Sequence, residues 1–242
     1  MSGSWLEEAM DASGLSLPPS FPRDLAAEVA VTLPISVVLL ENLSPERIQK
    51  WLFRRGVHVE VSTLERSMHG CPVVKKGHGF IFLEAADAAD EQRFSLAHEV
   101  AHFILDYLLP RNRALAAFDE RISPVLDGNR SVSDEDFLVS FLERIPLGTR
   151  GKLMDRDGSG AIGLGKIEEA EKRADRLAFE ILAPAAIALS VLKEAPLEKA
   201  SSSLASGFGL PPHKAQEYAE VLLGSKRFSI RDLFGVEPDD HD

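Results

Sequence analysis

Residues 93–105 of this 242-residue chain read RFSLAHEVAHFIL, and within them stands a His-Glu-x-x-His run, His98-Glu99-Val100-Ala101-His102. On an α-helix, positions i and i+4 project from one face about a turn apart. That spacing lets two imidazoles reach one zinc ion at about 2.0–2.1 Å. Glu99 lies beside that face, placed to take a proton from water activated by the metal. With seven His and 22 Glu in the chain, composition alone predicts roughly 0.02 accidental matches to the pattern. Phe94, Leu96, Ala97, Val100, Ala101, Phe103, Ile104 and Leu105 cover nearly every side of the helix, so it is read as buried almost all round. Two histidines and a carboxylate are costly in such a place unless something coordinates them.

A zinc site that keeps one position for water needs a third protein ligand. Downstream, residues 171–184 read EKRADRLAFEILAP. Glu171 and Asp175 are four apart and share a helical face with Ala174, Ala178 and Leu182. The small alanines let this helix approach the motif helix closely enough for Glu171 to reach the metal. Asp175 is then placed to accept the outer ring N–H of a ligand histidine and so fix its tautomer. Pro184 ends the helix. The neighbouring Glu168 and Glu169 leave open an ordinary exposed acidic face. For an oxyanion partner the candidates are Tyr107, His69 and His78, with no choice among them.

The elements that must position these residues are legible in part. Residues 1–21 mix a short helical pattern (Trp5, Leu6, Ala9, Met10) with Gly14 and Pro18-Pro19, and read as a poorly anchored arm before a helix from Pro22. Ser44-Pro45-Glu46 is a helix start, with a hydroxyl cap, proline in the first turn and an acid after it. Val57, Val59 and Val61 alternate with His58 and Glu60, as in a half-buried strand. Residues 71–74 and 79–83 are apolar runs bounded by glycines, which predicts two more strands. From Asp90 the spacing is mostly helical. A small sheet followed by helices is an α+β layout.

Composition narrows the class. The 27 basic and 38 acidic side chains leave a net charge of −11, which argues against gripping phosphate backbones. The apolar run 29–40 is interrupted by Pro34 and is too short to span a bilayer. The opening MSGSWLEEAM shows no secretory signal, so the reading is a cytoplasmic protein without a membrane segment. The single cysteine, Cys71, excludes an internal disulfide and reads as a small hydrophobe in a strand. Residues 155–162 look like the start of a calcium loop, but Lys166 stands where a bidentate Glu is required, so a glycine-rich turn is the better reading. Residues 197–223 have a helix-turn-helix layout, but Lys199 and Lys214 against Glu198, Glu217 and Glu220 sum to −1. A DNA-binding regulator is therefore disfavoured.

RFSLAHEVAHFIL, the E-x-x-A-D-x-x-A block from Glu171 to Ala178 with its trailing Leu182-Ala183-Pro184, and the strand-rich approach from Gly56 together resemble the ImmA/IrrE metallopeptidases. These are gluzincin-like bacterial and phage regulators. The resemblance implies a zincin-like core, a small mixed sheet packed on the motif helix, with helical N- and C-terminal extensions. The expected layout is an arm and helix over 1–43, a zinc metallopeptidase domain over 44–190 with an insertion at about 107–166, and a helical, HTH-like region over 191–242. It implies zinc on His98, His102 and Glu171, with Glu99 as general base; manganese or iron remains open as the ion. Sixty-eight residues separate His102 from Glu171, a long linker that leaves Glu143 or Glu168 as alternative ligands. The implied activity is cleavage of an XRE-type helix-turn-helix repressor, in a stress-response, mobile-element or toxin–antitoxin setting. The alternative is a non-catalytic regulator that keeps the fold and acts by binding a repressor or toxin. An intact Glu99 favours catalysis, since a pure binder needs no base beside the metal.

Overall fold

The computed structural model describes residues 5–58, 69–133, 164–194 and 199–234. Val59 and Val61 of the expected strand, Glu143, the turn 155–162 and residues 134–163 of the insertion lie outside these. Four elements open the chain: helix α1 (Trp5–Ser13), helix α2 (Leu25–Thr32), strand β1 (Ile35–Leu40) and helix α3 (Pro45–Phe53). Asp24 caps α2 by accepting from the Ala27 N–H, and Ser44 caps α3 by accepting from that of Arg47, which relieves orphan donors of each first turn. The second helix thus begins three residues after Pro22, and α3 begins where its start signal predicts.

Strands β2 (Gly70–Lys75) and β3 (His78–Glu84) follow, matching the two glycine-bounded runs. The sheet of described residues has the order β1-β3-β2, with β1 parallel and β2 antiparallel to β3. It is therefore small and mixed, in an α+β fold. Strand β1 has no counterpart in the sequence reading, where 29–40 figures only as an apolar run. The physical reason is its parallel pairing to β3 across α3, which leaves no hairpin signal in the local sequence.

Period-two alternation splits the sheet between two cores. Ile35, Ile81 and Leu83 face the main core, while Val73 and Phe82 turn to the other side, under Ile48 and Leu52 of α3. On the main-core side lies α4 (Ala89–His102), which carries the His-Glu-x-x-His run. Its Phe94, Leu96, Ala97, Val100 and Ala101 are all buried, as the all-round apolar pattern requires.

After α4 the helix widens to a π turn (Phe103–Leu108), then continues as α5 (Leu109–Phe118), a 3-10 turn (Asp119–Ile122) and the short α6 (Ser123–Leu126). The chain resumes with α7 (Leu164–Leu182), α8 (Ala185–Glu194), α9 (Ala200–Phe208) and α10 (Pro212–Phe234). Ala174, Leu177, Ala178 and Ile181 of α7 are fully buried in the core that also holds Ala97, Val100 and Ala101 of α4. Alanines on both helices permit the close approach inferred from the sequence.

The N-terminal segment is not a loose arm. Ala9 of α1 and Leu15 are buried in the main core, and Glu8 holds the Arg113 guanidinium through both carboxylate oxygens at 2.7 Å. Buried Arg23 donates to the Ser16 carbonyl at 2.8 Å and the Ile181 carbonyl at 2.9 Å, and pairs with Glu28. These anchors are long-range, so the local breakers Gly14 and Pro18-Pro19 conceal them. No helix among the described residues is long and apolar enough to cross a membrane.

Candidate metal centre

His98 and His102 leave α4 on one face, a turn apart, and their Nε2 atoms stand 3.1 Å from each other. Glu171, two turns into α7, brings Oε2 to 3.2 Å from His98 Nε2 and Oε1 to 3.7 Å from His102 Nε2. One donor atom from each of the three lies within 4.8 Å of the others. The imidazoles are largely buried, while half of the Glu171 side chain is open to solvent, so the cluster is reached by solvent on the Glu171 side.

The outer nitrogens are fixed by carboxylates. His98 Nδ1 is 2.8 Å from Asp175 Oδ1, and His102 Nδ1 is 2.8 Å from Asp106 Oδ2. An Nδ1–H donated to each carboxylate leaves both Nε2 lone pairs pointing into the cluster. Two lone pairs at that separation, with a carboxylate against them, repel unless a cation or a proton lies among them. The donor set fits a divalent ion with two imidazoles and one carboxylate.

The electrostatics carry the same sense. Burial pulls the His98 imidazole down, but hydrogen bonds to Asp175 and Glu171 outweigh it and raise its pKa to about 9. Burial also opposes the charge on His102, and the bonds to Asp106 and Glu171 raise it to about 10. Glu171 is held well below the usual carboxylate range by the same two imidazoles. The pocket is built to hold positive charge.

Glu99 stands beside the cluster with 8% of its surface exposed, and its Oε2 is buried without a hydrogen-bond partner. Burial raises its pKa, against the opposing pull of the two imidazoles. An unsatisfied buried carboxylate oxygen in a native fold asks for a function. The lack of a side chain at Gly70, the first residue of β2, makes room for it, since a Cβ there would meet Glu99 Oε1 at 2.6 Å.

Of the residues singled out from sequence, His98, His102, Glu99, Glu171 and Asp175 converge. Glu168 does not: it is exposed and pairs with Lys172 at 2.6 Å. His78 is engaged with Ser36 Oγ at 2.9 Å, and His69 with Asp87 at 2.9 Å. The Tyr107 hydroxyl is buried without a partner, beside the Gly77 turn. Sequence reasoning missed Asp106, although its position four residues after His102 was a usable signal. It also missed Lys214, whose Nζ lies 2.7 Å from Asp175 Oδ2.

Comparison with known proteins adds one finding. Residues 51–123 match the model of the peptidase M78 family, described as the IrrE N-terminal-like domain. The matched span carries β2, β3, α4 and the π turn, hence His98, Glu99, His102 and Asp106; Glu171, Asp175 and Lys214 lie beyond it. Neither the curated proteins nor the solved structures yield a match. Across the segment that holds the paired histidines, the chain is similar to the IrrE-like peptidases, which agrees with the resemblance to the ImmA/IrrE family read from its residues.

Proposed function

We propose that this protein is a zinc-dependent endopeptidase with a zincin-like core, acting on a specific partner protein in the cytoplasm. The observation that carries the reading is the convergence of His98, His102 and Glu171 beside a buried carboxylate, Glu99, that has an unpaired oxygen. His98, His102 and Glu171 would hold the ion, and Asp175 and Asp106 orient the two imidazoles toward it. A bound divalent metal supplies Lewis acidity, polarising a peptide carbonyl and acidifying water at neutral pH.

The protein's own groups carry the proton. Burial raises the Glu99 pKa against the pull of the two imidazoles, which strengthens it as a base for a proton it must accept and later release. Oε2, free of other bonds, takes the proton from water and passes it to the departing amine nitrogen. Asp175 and Asp106 keep the Nδ1 protons where they are and aim both Nε2 lone pairs at the ion they would hold, which would leave Glu99 as the base.

The partner is proposed from the family resemblance: a helix-turn-helix repressor of the XRE type, in a stress-response, mobile-element or toxin–antitoxin setting. The net charge of −11 supports a basic, DNA-binding protein as substrate, through complementary fields that speed encounter. The chain itself is not proposed to bind nucleic acid.

The test has two arms. Metal analysis of the purified protein is expected to find one equivalent of zinc, with manganese or iron as the alternatives, and its loss in His98→Ala and Glu171→Ala. Glu99→Gln is expected to keep the metal and lose cleavage of a fluorogenic peptide library and of candidate repressors. Unchanged cleavage in Glu99→Gln would remove the base assignment. Metal without any cleavage, in a protein that still neutralises a repressor, would favour the binding-only regulator.

A further inference from the structure

The C-terminal helix pair is docked on the elements that build the centre. Leu204, Phe208, Leu210, Ala215, Tyr218, Ala219 and Leu222 are buried in the main core. The Tyr218 ring stacks on Phe179 at 4.5 Å and its hydroxyl donates to the Ala183 carbonyl at 2.8 Å. Arg93 of α4 donates to the Gly209 carbonyl, between the two helices, at 2.8 Å. The first turn of α10 is thereby held over the junction of α4 and α7.

From that turn Lys214 reaches inward. Its Nζ is 2.7 Å from Asp175 Oδ2, 3.0 Å from Glu217 Oε2 and 4.9 Å from the centre of the Phe94 ring. Only 18% of its side chain is exposed, and 20% of that of Asp175. Asp175 thus uses one oxygen for Lys214 and the other for His98, and the three form a continuous line: ammonium, carboxylate, imidazole. A carboxylate so far out of water is costly without a cation, and one held at both oxygens cannot swing away from the ring it orients.

We propose that Lys214 is a positioning residue of the metal centre: it pins Asp175, which pins the His98 ring, so that metal affinity depends on the ammonium that α10 contributes to this line. This rests on the metal-site reading above. It goes beyond the family match, which ends at residue 123. In sequence, Lys214 is one charge on a solvated helix; in the fold it is a charged link from α10, through Asp175, to a histidine of the cluster.

The experiment measures zinc affinity of the full chain by competition with a chromogenic chelator, and the visible spectrum of the cobalt-substituted protein. Lys214→Met keeps the aliphatic stem and removes the charge. It is expected to weaken zinc binding by about 3- to 10-fold, less than loss of a residue bonded directly to a ligand, and to shift the cobalt bands. Lys214→Arg is expected to restore most of both. Tyr218→Phe serves as the control for seating alone: it loses the bond to Ala183 without touching Asp175, and is expected to lower the melting temperature at unchanged zinc affinity. Zinc binding in Lys214→Met equal to or tighter than wild type overturns the inference, as does an equal loss in Tyr218→Phe. If wild type itself takes up no metal, the functional reading fails and this inference with it. If wild type binds zinc and only the Lys214 effect is missing, the functional reading stands alone.

Discussion

Gly70 and Glu99 are mutually exclusive with any larger pair: a Cβ on Gly70 would stand 2.6 Å from Oε1 and 2.7 Å from Cγ of Glu99. The backbone at Gly70 is not left-handed, so alanine there meets no conformational penalty and acts through the contact alone. Glu99 is buried and cannot retreat freely. Gly70→Ala is therefore expected to displace the carboxylate and cut peptide turnover about 10- to 100-fold, with zinc content unchanged. Steady-state kinetics beside metal analysis will check it; full turnover in this variant would mean that Glu99 carries no proton in the reaction.

Asp106 reaches back one turn to hold His102 Nδ1 at 2.8 Å. Removing it frees the ring to rotate and leaves the Nδ1–H without its acceptor. Asp106→Ala is expected to weaken zinc binding by about tenfold, the low end for such partners because the carboxylate is about one-third exposed. Chelator competition measures this directly, and an unaltered dissociation constant would show that the π turn alone fixes the ring.

Metal removal leaves two imidazoles 3.1 Å apart among four carboxylates, those of Glu99, Asp106, Glu171 and Asp175. An ion held by His98, His102 and Glu171 together would bind only the folded arrangement, because α4 and α7 must meet to make the site. Adding zinc to chelator-stripped protein at a hundred times its dissociation constant is expected to stabilise the fold by about 2.7 kcal/mol. His98→Ala is expected to show no such rise. Thermal unfolding followed by circular dichroism would detect both, and identical melting of stripped and loaded wild type would count against a site of this kind.

Cys71 is the single cysteine of the chain, and burial, reinforced by the Glu99 carboxylate, pushes its thiol up to about 12. Its side chain packs against the second core, the one under α3. A thiol raised in this way stays protonated between pH 7 and 9, where an unfolded cysteine already supplies thiolate. Alkylation by iodoacetamide at pH 8 is expected to be on the order of a hundredfold slower in the native chain than in guanidinium. Rapid native labelling would mean that the thiol is ionised or exposed in the folded chain.

What the sequence determined by itself is whatever lies within a few turns of one helix or one strand. The spacing of His98 and His102 fixes their common face because helix hydrogen bonds repeat locally, and the same rule pairs Glu171 with Asp175. The glycine-bounded runs locate β2 and β3 for an equally local reason. Asp106 belonged to this class and was legible in principle. Tertiary structure decided the rest. His98 and Asp175 stand 77 positions apart and Asp175 and Lys214 stand 39 apart, so no periodicity connects them. Their meeting depends on which apolar faces are buried together: the alanines of α7 against α4, and the Tyr218 face of α10 against Phe179 and Ala183. Strand β1 and the seating of Ala9 likewise follow from long-range burial, a quantity set by the whole chain and carried by no single stretch of it.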